Sequence, residues 1–99
     1  MKVYLFAEID VRDAETYAEY VRRARGILKK YGGRHLVKNE VIFPFAGEWV
    51  PERVLLIEFP SREALEQCFN SAEYKQIAPL RANSVVSRAI ILEERENNC

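Results

Sequence analysis

The sequence predicts an α+β fold of the ferredoxin-like type, βαββαβ, with a four-stranded antiparallel sheet and both helices on one face. Three observations predict it. Residues Lys2 to Asp10, Arg53 to Phe59 and Ser87 to Glu94 read as strands, several of them apolar on both faces. Ala14, Tyr17, Val21, Ala24, Leu28 and Tyr31 recur at three- and four-residue steps, the stripe of an amphipathic helix. The elements alternate in the order strand, helix, strand, strand, helix, strand. Right-handed crossovers then give the strand order 4-1-3-2.

Each element has a local reason. In the first strand Val3, Leu5, Ala7 and Ile9 share one face and Tyr4, Phe6 and Glu8 the other. Asp13 is placed to cap the first helix, with Glu15 in its first turn. Gly32-Gly33 stops that helix, because glycine takes the left-handed C-terminal geometry readily. Arg34 to Phe43 is expected as an irregular, bulged second strand, and Pro44 to Pro51 as a loop. In Arg53 to Phe59, Leu55, Ile57 and Phe59 share one face, and Val54 and Leu56 the other. Ser61 caps a short helix with the stripe Leu65, Cys68 and Phe69. Ser71 restarts a helical segment through Tyr74, Ile77 and Ala78, which Pro79 should kink or re-initiate. The last strand carries Ala89-Ile90-Ile91-Leu92. The domain spans residues 1–94, and 95–99 is expected to fray.

Composition narrows the class of function. The 99 residues make one domain, and 48% of them are apolar, which argues against disorder. Fifteen basic residues balance fifteen acidic ones, so no net field draws nucleic acid or anionic lipid. No apolar run approaches the roughly 20 residues that span a bilayer. The expectation is therefore no nucleic-acid or membrane partner. Cys68 and Cys99 make no disulfide framework, and no secretory signal is seen, so the cytoplasm is the expected setting.

A strand apolar on both faces must be covered on both. The two helical segments cover one face of the sheet only. The open face would then expose an apolar patch that is rare on a soluble monomer. The expected partner is the protein itself, as a homodimer through that face, with a small organic ligand as the other.

Three separated blocks resemble a known family. They are Lys30-Tyr31-Gly32-Gly33-Arg34-His35-Leu36-Val37, the run from Gly47 to Ser61, and Ser71-Ala72-Glu73-Tyr74-Lys75 through Pro79-Leu80-Arg81. In that order, over about residues 3–94, they resemble domain-of-unknown-function family 1330 of the dimeric α/β-barrel superfamily. The resemblance implies a dimer. The superfamily includes cofactor-free oxygenases, isomerases and haem-handling enzymes, so the resemblance leaves the chemistry open. The family usually has an aromatic where His35 stands, so no role for His35 follows from it.

The candidate residues carry two readings each. Topology gathers Arg34, His35, Glu58 and Ser61 at one pole of the sheet, and Asp10, Arg53, Arg88 and Trp49 at the other. Arg34 with Glu58 is either a tuned carboxylate that acts as base or a cross-strand ion pair that sets register. Asp10 with Arg53 is read the same way. His35 is the single histidine, a candidate general base or a structural side chain. Tyr20 and Tyr74 either pack in the core or orient a ligand between helices and sheet. Arg81, near Pro79, suits a carboxylate ligand or a structural tie. Trp49 is an interface anchor or a lid, and the open sheet favours the former.

Two function classes follow. The first is a cofactor-free enzyme acting on a small, partly apolar organic acid or ketone. Arg34 or Arg81 would hold an anionic group, Tyr20 and Tyr74 would line the cleft, and His35 or Glu58 would move a proton. The second is a non-catalytic binding or accessory dimer. No cofactor or metal is expected, since no phosphate loop, zinc spacing or Ser-His-Asp triad occurs.

Overall fold

A computed structural model of the chain describes residues 1–37 and 41–95. The elements run β1 (Val3–Val11), α1 (Ala14–Lys30), β2 (Arg34–His35), β3 (Arg53–Phe59), α2 (Arg62–Asn70), α3 (Ala72–Ser84) and β4 (Val85–Glu93). The sheet is four-stranded, in the order β2-β3-β1-β4, with every pairing antiparallel. This is the expected ferredoxin-like architecture.

Register decides which side chains meet, because directly paired residues point to the same side. Val3, Ala7 and Ile9 on β1 pair with Phe59, Leu55 and Arg53 on β3 and with Glu93, Ala89 and Ser87 on β4. This is the helix side. Val3, Ile57 and Phe59 pack with Leu28, Leu65 and Cys68, while Ala7 and Ile9 pack with Tyr17, Tyr20, Ala24 and Ile77. The opposite face carries Tyr4, Phe6 and Glu8, Val54, Leu56 and Glu58, and Val86, Arg88, Ile90 and Leu92. Helices cover only the first face, as expected.

The caps are those the sequence signals. Asp13 accepts from the Thr16 amide at 3.1 Å, Ser61 from Ala64 at 3.1 Å and Ser71 from Tyr74 at 3.1 Å. After α1, Gly32 takes φ +87°, and a Cβ there would meet the Pro60 ring at 3.0 Å. Gly33 lies so close to Phe59 that a Cβ would sit 3.0 Å from its ring. Both glycines are thus demanded by geometry.

The structure corrects several expectations. β2 is far shorter than Arg34 to Phe43. It pairs at Arg34 and His35, and the Leu36 amide adds one bond to the Leu56 carbonyl at 2.9 Å. Residues 38–40 of the expected strand lie outside the described residues, and Val41 to Phe43 take no strand geometry. Val41 and Phe43 are exposed, so strand pairing there would gain no burial within one subunit. Pro79 does not re-initiate the second helical segment; α3 runs through it. Pro79 is exposed, so the carbonyl its ring leaves unpaired one turn earlier can face water. β4 begins at Val85, directly from Ser84, whose buried carbonyl accepts from the Arg12 and Asp13 amides at 2.7 and 3.0 Å. Asp10 and Arg53 do not pair. They lie on opposite faces, Asp10 bonding Arg12 at 2.9 Å and Arg53 lying 5.6 Å over the Tyr17 ring. The expected frayed tail falls partly outside the described residues. Up to Glu94 the chain is held, by the Glu94 amide to Lys2 at 3.1 Å and the Tyr4 hydroxyl to Glu94 at 3.0 Å.

Candidate functional site

Tyr20, Tyr74 and Arg81 are brought together on the helix side. Glu73, in the first turn of α3, bonds Lys30 at 2.9 Å and the Tyr31 hydroxyl at 3.0 Å. These bonds hold its carboxyl below the usual range and tie α3 to the end of α1. Tyr74 then meets α1 from above the sheet. Its hydroxyl shares a 2.8 Å hydrogen bond with that of Tyr20, their rings edge to face, and Phe69 packs against its ring at 4.8 Å. Tyr17 stacks on Tyr20 from the other side at 6.0 Å.

Tyr74, Ile77 and Arg81 fall at helical steps on the inner face of α3. Arg81 Nη2 donates to Ser87 Oγ at 2.6 Å, on the helix side of β4. Arg81 is half-buried, while every other described arginine is exposed, and it forms no ion pair among the described residues. Burial and the bond to Tyr74 push the Tyr20 hydroxyl up, and the positive charge of Arg81 only partly opposes this. Tyr20 is therefore a neutral donor at physiological pH, never a phenolate base. A guanidinium beside phenol hydroxyls can hold an anionic oxygen and donate to a carbonyl.

The other site candidates lie elsewhere. Arg34 Nη2 reaches Glu58 Oε1 at 3.3 Å, as the ion-pair reading requires, and Lys2 meets the same carboxylate at 3.5 Å. Register puts this cluster on the open face, away from Arg81. His35 is on the helix side, opposite Ile57. That row continues through Leu5 to Ile91, whereas Ser87 pairs with Ile9. His35 thus stands four residues along and three strands across from Ser87, about 13 Å by about 14 Å at ordinary strand spacings. The expectation that His35 or Glu58 serves a ligand held by Arg81 is corrected on distance and on face.

The far pole holds a second polar group. Glu8 accepts from Trp49 Nε1 at 2.9 Å and from Arg88 Nε at 2.5 Å, and both bonds hold its carboxyl below the usual range. Trp49 also meets Phe6 edge to face at 6.4 Å, so it lies on the open face. Sequence reasoning gathered Trp49 and Arg88 there and missed Glu8, although the β1–β4 register pairs Glu8 with Arg88. Ser87 was also missed; its signal was a polar residue on the covered side just after the second helical segment.

Shallow cavities lie at two other places. One of about 400 Å³ is bordered by Glu8, Asp10, Val50 and Arg88, and one of about 840 Å³ by Ala14, Tyr17, Val21, Arg25 and Arg53. Cys68 is buried in the core, which pushes its thiol up to about 11 and leaves it a packing residue. Among the described residues no cluster of His, Cys, Asp or Glu is placed to hold a metal ion, and no helix is long and apolar enough to cross a membrane.

Comparison with known proteins places this geometry in context. The fold is similar to the methylated RPA0582 protein of Rhodopseudomonas palustris, at TM-score 0.81 and 20% identity, over 96% of this chain and 82% of that one. It is similar to SnoaB, a cofactor-independent oxygenase from Streptomyces nogalater, at TM-score 0.68 and 9% identity, over 97% and 95% of the two chains. An antibiotic biosynthesis monooxygenase matches at TM-score 0.58 and 13% identity, over 96% and 99%. At these identities the likeness is one of fold. No curated protein matches the chain in sequence. The model of a domain of unknown function, DUF1330, matches residues 2–95, and the chain belongs to that family.

Proposed function

We propose that the protein is a homodimer that binds a small, partly apolar organic acid or ketone between its sheet and helices, at Tyr20, Tyr74 and Arg81. The observation that carries this reading is Arg81. A half-buried guanidinium with no carboxylate partner among the described residues bears a desolvation cost that an anionic ligand would offset. Tyr17, Tyr20, Phe69 and Tyr74 supply the apolar side of the same place. In the enzymatic form of the reading, the phenols donate to a carbonyl oxygen as it gains charge, with no cofactor. The fold shared with a cofactor-independent oxygenase supports that form. Binding without turnover is the second reading. It is favoured by the separation of His35 and Glu58 from Arg81, which leaves the charged and titratable neighbours of the Tyr20 hydroxyl as Tyr74, Arg81 and Tyr17. A reducing cytoplasm fits the buried, unpaired Cys68.

Thermal denaturation with benzoate and phenylpyruvate tests the site. Wild type should melt higher as either acid is added, by mass action, and Arg81→Ala should abolish the shift without changing the far-UV dichroism. No shift in wild type, or an equal shift in Arg81→Ala, would remove Arg81 as the anion donor. Product analysis on the acid that binds then separates the enzyme from the binder.

A further inference from the structure

Among the described residues, the segment Val41 to Phe45 is the most exposed apolar stretch. Phe43 is 81% exposed and Phe45 102%, with Val41 beside them. Isolated apolar residues on a surface are ordinary, but two phenylalanines and a valine within five residues are not. The segment belongs to no helix or strand. Its downstream end is fixed: Trp49 is hydrogen-bonded to Glu8 and packed on Phe6, on the open face of the sheet. On that same face β4 presents Val86, Ile90 and Leu92, all exposed.

We propose that Val41–Phe45 is an arm that packs on the open-face stripe of β4 in a second copy of this chain, with Phe43 and Phe45 as its anchors. This rests on the homodimer reading and goes further by naming the contact. The strand order sets the geometry. The arm joins β2 to β3, whereas β4 lies at the other edge of the sheet, with β1 and its Phe6–Trp49 contact between. A two-fold axis parallel to the strands, between facing sheets, reverses the edges and sets each arm over the partner's β4. Arm and stripe then cover each other twice. The areas suit this: a buried phenylalanine contributes on the order of 150–250 Å², against about 800 Å² per partner in a standard interface. The arm would supply about half, and the stripe with Trp49 the remainder.

Two measurements on the full-length chain test the arm. With Phe45 replaced by p-benzoylphenylalanine, dimers are assembled from ¹⁴N- and ¹⁵N-labelled chains, illuminated, and mapped by mass spectrometry. Mixed-isotope products joining residue 45 to the segment 85–93 are expected. Products confined to single chains in an intact dimer overturn the arm while leaving the homodimer standing. In the second, F43S/F45S should raise the dimer dissociation constant on the order of a hundredfold, with unchanged far-UV dichroism. A variant that dimerises as tightly as wild type overturns the arm alone. A wild type that stays monomeric at all concentrations overturns both readings.

Discussion

The two faces of one sheet are built from alternate residues of the same strands, yet they have opposite fates. On the helix side Val3, Ile9 and Phe59 are fully buried, Val3 and Phe59 beneath Cys68 and Ile9 beneath Tyr20 and Ile77. On the other side Val86, Ile90 and Leu92 are 59%, 56% and 49% exposed. The difference is cover and not composition: β4 reads as apolar as β1, but no helix reaches its outer surface, and on the helix side this edge strand is only partly covered, with Ile91 50% exposed. The open face also holds two fixed polar clusters, Arg34–Glu58–Lys2 at one end and Trp49–Glu8–Arg88 at the other. An apolar stripe framed by ordered polar groups has the layout of an interface core with its rim.

The sharpest way to break this contrast is to empty both faces in turn. Phe59→Ala should cost about 3–5 kcal/mol in urea denaturation, through lost burial and a cavity. Ile90→Ala should change the unfolding free energy of the monomer by well under about 1 kcal/mol, since its side chain is largely wet there. A loss of several kcal/mol from Ile90→Ala under monomeric conditions would mean that the face is already covered within one chain.

The hydrogen bond between Tyr20 and Tyr74 on the covered side should be next in size. Tyr20→Phe removes a partly buried hydroxyl bond and strands that of Tyr74, at a cost of about 1–2 kcal/mol. An unchanged stability would show that the two phenols do not meet in solution. Smaller again is the open-face ion pair. Arg34 is 69% exposed in its side chain and Glu58 15%, so Glu58→Gln should cost about 0–1 kcal/mol. A double-mutant cycle with Arg34→Ala isolates the coupling; a value near 3 kcal/mol would indicate a pair buried by a partner.

The smallest effect is one of pH. Glu8 has its folded-state pKa lowered below the ordinary 4.5, first by Trp49 and then by Arg88. A lowered carboxylate stabilises the fold in full above its unfolded value, and that contribution disappears as pH falls through the folded one. Fluorescence of Trp49, the one tryptophan, should therefore be flat through neutrality and change below about pH 4.5. Glu8→Ala should remove that step. A step centred near pH 6 would mean that another group holds the indole.

Much of this architecture was legible in the sequence, for reasons that differ by element. Asp13, Ser61 and Ser71 cap helices because a short oxygen-bearing side chain before an apolar stripe has few other uses. The Arg34–Glu58 contact followed from strand order alone. Three features were not legible. The length of β2 depends on whether anything buries Val41 and Phe43, which the local pattern does not contain. The absence of an Asp10–Arg53 pair depends on register, and a shift of one residue sends a side chain to the other face. The isolation of His35 from Arg81 depends on distance across three strands, which motif spacing does not measure. Tyr20, Tyr74 and Arg81 converged because two helices lying on one face must bring their inner stripes together.

The central claim is that a second copy covers the open face. Light scattering across a concentration series, on wild type and on Ile90→Glu, tests it most directly. The account predicts a wild-type dimer at micromolar concentration. It also predicts that Ile90→Glu is a folded monomer, because a charge at that position is wet in one chain and buried in two. A wild type that remains monomeric, or an Ile90→Glu variant that dimerises as well as wild type, would contradict it.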